Sequence, residues 1–440
     1  MVPADTLERI GALADRVIGT GASPGAVVAL TDRGRLLGVV TRGHADPAAG
    51  RPVDADTAFQ NGSISKSFTA ICLLREVEHG RLSLDDAVAR HLPWFPLADR
   101  TVRQLLTHTA GIVNGLDDLP ASPHTVLRLR DAPRVDPGRF WYSNVGYQSL
   151  GYLLEQLTGE PYAETYRRQI LAPLGMDSSS PDITNDLRAT LAVGHAPLHD
   201  DRPWTPGDPC ATAAWIEYGM GDGSVCATAG DLAAYLRMLL NRCEGLLSRQ
   251  SFDDLVYPAV DDGEGARYGL GVQTRQVDGR TWIGHTGATI GYRAAMWGVP
   301  DDGVGVVSLV NGSNGAGMLA EYALRLALDP GTPPPDTGDL ADPAAAKRFD
   351  APPAAPWQGR CGTYRSFSPW IPSLVVGTVE GEPHLLSGGE LSPLADLEDG
   401  SFRPGRSEHI PERVVFDQPV GDRTYRCWYS TAPYVRQFNG

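Results

Sequence analysis

Hydrophobic residues follow helical spacing at the start of the chain and then change to short, dense runs. In residues 7 to 18 they recur every three or four positions, which predicts an opening helix. Residues 26 to 31 and 36 to 41 are rich in β-branched side chains and flank a short polar turn, so we expect a β-hairpin there. Helical spacing returns over residues 69 to 78 and ends at Gly80.

Helical patterns and loops dominate the middle of the chain up to about residue 254, with frequent proline and glycine. Strand-like runs then return at residues 268–277, 281–285, 292–299 and 303–310, and a helix is predicted over residues 318–328. Strands near both ends with helices between them predict one antiparallel sheet built from both termini. A helical lobe of about residues 70–255 is then inserted into it. No β-α-β alternation is visible, which argues against a doubly wound parallel sheet.

The composition changes after the last predicted helix. Residues 329–356 are rich in Pro, Ala and Asp and predict a stiff, extended linker. Short strand-like runs separated by Gly, Pro and Asp turns follow from residue 357, and they predict a small all-β barrel. The expected organisation is an α/β (α+β) region over residues 1–328, the linker, and a β domain over residues 357–440.

Charge and cysteine content narrow the functional classes. The net charge of −15 over 440 residues argues against nucleic-acid and anionic-membrane partners, since both require a basic face. The six cysteines have no close pairs, so we expect free thiols in a reducing compartment. The first residues lack a signal-peptide pattern, and no apolar run is long enough to cross a bilayer. These observations predict a cytoplasmic protein.

The stretch Ser63-Ile64-Ser65-Lys66 is the first candidate for chemistry, at the predicted entry to a helix. Residues three apart share one helix face, so the Lys66 amine can lie beside the Ser63 hydroxyl. A serine hydroxyl becomes an effective nucleophile when a neighbouring base can take its proton. The start of the helix also provides backbone N–H groups for a developing oxyanion. The motif is common, so it needs support from other positions.

A second candidate is Tyr142-Ser143-Asn144. A phenol beside a lysine ammonium loses its proton more readily, and it could then serve as general base and later as general acid. The carboxamide of Asn144 could hold a substrate amide. By itself, however, this tripeptide is more often ordinary turn chemistry.

The third candidate, Gly284-His285-Thr286-Gly287-Ala288, ends a predicted strand. Its small residues would let a substrate backbone approach the strand edge. The Ala288 amide could supply a second oxyanion donor beside that of Ser63. Taken alone, His285 is more often a satisfied histidine at a strand end.

Together the three motifs resemble the serine β-lactamase and penicillin-binding-protein superfamily, and the Tyr-x-Asn and His-Thr-Gly variants resemble its class C branch. Residues 105–111 and 223–232 also resemble that branch. The resemblance covers about residues 7–328 and implies a β-lactamase/transpeptidase-like fold, and the tail resembles an appended lipocalin-like module. The branch includes esterases, D-aminopeptidases, DD-carboxypeptidases, acyltransferases and the penicillin-binding-protein-type thioesterases that release and cyclise nonribosomal peptides.

The resemblance implies a role for each matched position. Ser63 would be the nucleophile, Lys66 and Tyr142 the acid/base pair, and His285 a catalytic residue in the cleft. The oxyanion hole would consist of the Ser63 and Ala288 amides. Substrate would be bound by Asn144, Thr286, Gly287 and Gly223, and by Arg436 if the β domain folds over the cleft.

One position departs from the antibiotic-degrading members, because His285 stands where they have lysine. A neutral histidine is poorly suited to a substrate carboxylate, so we expect β-lactamase activity to be minor at most.

The leading functional hypothesis is acyl transfer through an acyl-enzyme on Ser63, with offloading and macrocyclisation of a nonribosomal peptide by a penicillin-binding-protein-type thioesterase. The substrate would be a peptide or small acyl compound, possibly a thioester on a carrier protein, and we expect no metal or cofactor. The alternatives are a cytoplasmic serine hydrolase of D-amino-acid peptides or of esters, and a non-catalytic binding protein that kept the fold.

Overall fold

The computed structural model describes residues 4–113, 121–132, 134–217, 219–257, 259–263, 265–340, 347–368, 370–407 and 410–437. The α-helices are α1 (Ala4–Gly19), α2 (Ser65–Glu78), α3 (Val88–His91), α4 (Val102–Leu106), α5 (Pro123–Leu127), α6 (Asn144–Thr158), α7 (Tyr162–Tyr166), α8 (Ala172–Leu174), α9 (Ala229–Leu240), α10 (Arg249–Val256) and α11 (Ala316–Leu328).

The first thirteen strands form the main sheet and two small pairs. They are β1 (Gly25–Asp32), β2 (Leu36–Asp46), β3 (Arg51–Pro52), β4 (Ala58–Gln60), β5 (His195–Pro197), β6 (Cys210–Thr212), β7 (Cys226–Thr228), β8 (Val260–Asp261), β9 (Arg267–Tyr268), β10 (Gln273–Val277), β11 (Arg280–Thr289), β12 (Tyr292–Val299) and β13 (Val304–Val310). The main sheet has nine strands in the order β3-β2-β1-β13-β12-β11-β10-β9-β8, while β4 pairs with β7 and β5 with β6.

The N-terminal hairpin joins the later strands through β1 and β13, which are antiparallel with Ala29 opposite Val307. Every residue of β1 from Gly25 to Thr31 is buried, because helices cover both faces of the sheet. One face packs in the same core as α2 and α9, and the other packs against α1 and α11. The prediction of one antiparallel sheet built from both ends, with helices inserted between, is therefore confirmed.

The last eight strands close into a barrel. They are β14 (Gly362–Arg365), β15 (Ser373–Val379), β16 (Glu382–Ser387), β17 (Glu390–Asp396), β18 (Ser401–Pro404), β19 (Val414–Val420), β20 (Arg423–Tyr429) and β21 (Ala432–Arg436). Pairing of β14 with β21 closes the ring, and closure removes exposed strand edges. The predicted small β-barrel is confirmed, whereas the exact domain boundaries remain predictions. Residues 341–346 of the predicted linker lie outside the described residues.

Hydrogen bonds and an ion pair connect the barrel to the first domain. The indole N–H of Trp141 donates to a carboxylate oxygen of Glu412 at 3.0 Å. Arg365 pairs with Asp200 at 2.6 Å, and the Ser373 hydroxyl donates to the same carboxylate at 3.1 Å. These contacts hold the barrel beside the loops that precede α6 and connect β5 to β6. In the described part of the chain, no helix is both long and apolar enough to span a bilayer.

The structure corrects the substrate-binding role predicted for Arg436. Its guanidinium is buried in the barrel and donates to the backbone carbonyls of Gly359, Cys361 and Thr424. It also lies over the ring of Tyr364. Arg436 lies on β21, which closes the barrel by pairing with β14, so its side chain is enclosed there and does not face the cleft.

Replacing Arg436 with methionine should destabilise the barrel. Loss of the charged donor leaves several buried carbonyls without a hydrogen-bond partner, which should lower the free energy of unfolding by about 2–4 kcal/mol. Urea unfolding followed by tryptophan fluorescence would measure the change, with Arg423→Met on the exposed start of β20 as the matched control. Equal stability of the two variants would contradict the structural role.

Candidate active site

Ser63 lies in a short 3-10 turn (Gly62–Ile64) that leads directly into α2. The turn needs glycine at position 62, where the backbone is left-handed with φ of +53°. A side chain at Gly62 would also come within 2.6 Å of the Ala288 backbone nitrogen on β11. The contact is equally close on the β11 side, because a Cβ at Gly287 would lie 1.9 Å from the Asn61 carbonyl oxygen. Two glycines thus let β11 run against the serine turn.

Lys66 follows one turn later on α2 and is fully buried. Its ammonium nitrogen lies 3.0 Å from the Ser63 hydroxyl oxygen, 2.7 Å from the Asn144 side-chain oxygen and 2.7 Å from the Asp222 carbonyl oxygen. Three acceptors match the three N–H groups of an ammonium. The structure therefore places the predicted serine and lysine in direct contact, and it adds a backbone carbonyl that sequence motifs did not indicate.

Tyr142 and Asn144 lie at the start of α6. Ser143 between them is the N-cap, and its hydroxyl accepts from the Gly146 N–H at 3.2 Å. The cap directs Asn144 toward Lys66, and the Tyr142 ring centre lies 4.9 Å from the Lys66 nitrogen. The tripeptide is thus both a helix start and a part of the cleft.

His108 holds this segment from behind. Its Nδ1 accepts the backbone N–H of Ser143 at 3.0 Å, and its ring lies 4.2 Å from that of Tyr142. Burial, together with the charge of Lys66, lowers the pKa of His108 well below its usual value, so the ring is neutral. His108 has a left-handed backbone with φ of +57°. In the sequence, residues 105–111 indicated only the family resemblance, and the one local sign of His108 was a histidine next to small polar residues.

The structure places His285 against the site but occupies both of its ring nitrogens. Nε2 lies 2.8 Å from the Tyr268 hydroxyl, and Nδ1 lies 2.5 Å from the Thr286 carbonyl oxygen. Because a carbonyl only accepts, Nδ1 carries the proton and Nε2 accepts from the Tyr268 phenol. Burial lowers the pKa of His285 to about 3, so the ring is neutral at physiological pH. His285 is only 1 % exposed, yet it lines a cavity beside Ser63, and its catalytic role remains a prediction.

Two cavities open beside Ser63. The larger, of about 480 Å³, is lined in part by Tyr142, Asn144 and Gly223. The smaller, of about 410 Å³, is lined in part by Thr286 and Gly287. Ser63, Tyr142 and Ala288 belong to both, so the predicted residues of the three motifs converge at one cleft.

The barrel contributes a wall to the larger cavity. Trp370 and Ile371, from the loop between β14 and β15, line it together with Tyr429 at the end of β20. These three residues could not be identified from the sequence, because the type of a residue does not indicate which cavity its side chain faces.

Comparisons with known proteins agree with this geometry. Residues 10–331 match the family model "Beta-lactamase". The chain is 28% identical to a D-aminopeptidase of Brucella anthropi over 69% of this chain and 59% of that protein, so it spans about three-fifths of that relative's length. It is 29% identical to penicillin-binding protein 4 of Amycolatopsis lactamdurans, over 76% of this chain and 90% of that protein.

A solved structure resembles the chain over almost its whole length. The crystal structure of SurE superposes with a TM-score of 0.63 and 25% identity, covering 98% of this chain and 99% of that one. SurE has also been solved with D-Leu, and that structure gives a TM-score of 0.58. Since the family model covers well over half of the sequence and its motifs meet at one cleft, the chain belongs to the β-lactamase family.

Proposed function

We propose that the protein is a serine acyltransferase that accepts a peptidyl thioester and releases the peptide by macrocyclisation, as a penicillin-binding-protein-type thioesterase. The observation that carries the acyl-enzyme chemistry is the 3.0 Å contact between Lys66 and Ser63 at the mouth of an open cleft. The carrier-bound thioester is the proposed form of the substrate. All of the proposed steps use groups of this chain and require no metal or cofactor.

In acylation, the Ser63 oxygen attacks the thioester carbonyl while its proton leaves. Lys66 stabilises the alkoxide that develops, because its ammonium already points at that oxygen. Tyr142 lines both cavities together with Ser63, and its ring centre lies 4.9 Å from the Lys66 nitrogen. As the phenolate it accepts the Ser63 proton, and it then donates that proton to the departing thiolate. The backbone N–H groups of Ser63 and Ala288 stabilise the oxyanion. The thiol departs and leaves an ester on Ser63.

In deacylation, the amine of the same peptide attacks the carbonyl carbon of this ester, and Tyr142 accepts a proton from the amine. The bond to the Ser63 oxygen then breaks, Tyr142 returns the proton to that oxygen, and the cyclic amide leaves. Asn144 orients the acyl part. Its side-chain oxygen already accepts from Lys66, so its NH₂ group remains to donate to a substrate carbonyl. This division of the carboxamide explains why asparagine suits the position better than an acid.

The barrel wall supports an extended acyl substrate. A largely apolar surface in the same cavity as Ser63 is formed by Trp370, Ile371 and Tyr429. Transfer of a long apolar acyl chain from water to this surface would favour its binding. The likeness to SurE extends over the barrel as well as the first domain, and the SurE structure with D-Leu supports a D-configured residue in the substrate.

A hydrolase of D-amino-acid peptides is the second candidate, supported by the D-aminopeptidase relative. It would form the same acyl-enzyme but use water as the second nucleophile. Ester hydrolysis follows the same scheme. The two candidates differ only in which nucleophile reaches the ester.

Ser63→Ala and Lys66→Ala should each lower turnover of a peptidyl thioester by about a thousandfold or more, and the double variant should add little, because the two groups act as a unit. Intact-mass spectrometry after treatment with a fluorophosphonate should show one adduct on the wild type and none on Ser63→Ala. Lys347→Ala is the matched control, since Lys347 is the chain's other lysine and is exposed. An unlabelled wild type would favour the binding-protein alternative, and near-normal turnover in Lys66→Ala would contradict the pairing.

Incubation with a peptidyl N-acetylcysteamine thioester ending in a D-residue should yield a cyclic peptide, which is lighter than the linear acid by one water. Mass spectrometry distinguishes the two products. The same peptide ending in an L-residue is the control and should react slowly. Linear acid as the sole product would support the hydrolase candidate over the cyclase.

Trp370→Ala should reduce kcat/KM about tenfold for thioesters with long apolar acyl chains, and less for a short acetylated D-alanyl thioester. The reason is the loss of apolar wall in the larger cavity. Phe367→Ala, which removes a fully exposed aromatic ring from the same loop, is the control. Equal effects on both chain lengths would show that the barrel loop does not select the acyl group.

A further inference from the structure

Arg293 is a second positive charge at the active site, and none of the three motifs includes it. It lies on β12 directly opposite Ala288 in the β11–β12 register. It lines both the larger and the smaller cavity beside Ser63. The side chain is therefore next to the strand segment whose amide is proposed for the oxyanion hole.

The guanidinium is held by backbone carbonyls, and no acidic side chain among the described residues pairs with it. Its Nη1 donates to the backbone carbonyls of Thr289 at 3.1 Å and Tyr292 at 2.9 Å. Those two bonds use the N–H groups of Nη1, so the N–H groups of Nε and Nη2 remain. Arg293 appears in none of the ion pairs formed within the described residues, although many other arginines there pair with Asp or Glu. Burial lowers the pKa of this guanidinium.

Two other basic groups at the cleft are already fully bonded within the protein, while His195, which also lines the larger cavity, is bonded through Nδ1 to the Val193 carbonyl oxygen. The ammonium of Lys66 is already surrounded by three acceptors. His285 is neutral, and both of its nitrogens are bonded. Among the described residues that line the two cavities, Arg293 is then the one arginine or lysine side chain.

We infer that Arg293 binds a carboxylate of the substrate and thereby supplies the positive charge that His285 does not. A planar guanidinium with three remaining N–H groups suits a carboxylate better than an ammonium does. This inference rests on the proposed acyl-enzyme function and adds a substrate class to it, namely acyl donors that carry an anionic carboxylate near the scissile bond. The carboxylate could belong to the leaving group or to the retained acyl part.

Three thioester probes distinguish these sources. The neutral reference is N-acetyl-D-alanyl methyl thioglycolate. The second probe has free thioglycolate as leaving group, and the third has a succinyl group in place of acetyl, so that each places one carboxylate on one side of the scissile bond. The measured quantity is the ratio of kcat/KM for each charged probe to that for the neutral probe, which does not depend on how much of a preparation is folded.

Arg293→Gln should lower this ratio by about tenfold to a hundredfold for one charged probe, the range expected for a hydrogen bond between charged groups. Arg293→Lys should recover part of the loss. Arg280→Gln, on the exposed start of β11, is the matched control and should leave both ratios unchanged.

An unchanged ratio for both charged probes in Arg293→Gln would overturn the inference. Arg293 would then only stabilise the β11–β12 turn through its bonds to backbone carbonyls. Failure of the proposed function itself would look different. In that case the neutral probe would not be turned over by the wild type, and no adduct would form on Ser63.

Discussion

A buried ammonium group is the constraint on which the active site depends. Removing the Lys66 charge from water is costly unless every N–H group finds an acceptor. The three acceptors come from the turn before α2, the start of α6 and the loop before β7. Satisfying Lys66 therefore holds three distant segments at fixed distances from one another. The nucleophile and the amide that orients substrate are positioned by the same cation.

A second constraint is the close approach of β11 to the serine turn. Gly62 and Gly287 permit backbone contacts that any Cβ would prevent. This approach brings the Ala288 amide beside Ser63, and it also places Arg293 on the next strand within reach of the same cleft. The sheet thus determines where negative charge can be stabilised, while the helical lobe determines where the nucleophile lies.

The distribution of charge around the cleft follows from burial. His108 and His285 are neutral because both rings are removed from solvent, and they serve to hold Tyr142, Ser143 and Tyr268 in place. The positive charges beside Ser63 are those of Lys66 and Arg293. The barrel adds a largely apolar wall to the larger cavity. The proposed substrate, a peptidyl acyl group with an anionic neighbour, matches these surroundings.

Sequence alone was sufficient for the features that depend on neighbouring residues. The three-residue spacing of Ser63 and Lys66 on one helix face, the strands near both ends of the first domain with helices between them, and the turn-rich β tail all follow from local patterns. The structure confirms the fold that they predict. Tertiary structure decided the rest. The acceptor beside Lys66 at Asp222 is a backbone carbonyl, which every residue type has, so the sequence could not indicate it. Arg436 was predicted to reach the cleft but is enclosed by the barrel, while Trp370 and Arg293 reach the cleft from other elements. These placements depend on how the barrel closes and on which strands pair, and both are set by contacts between residues far apart in the chain.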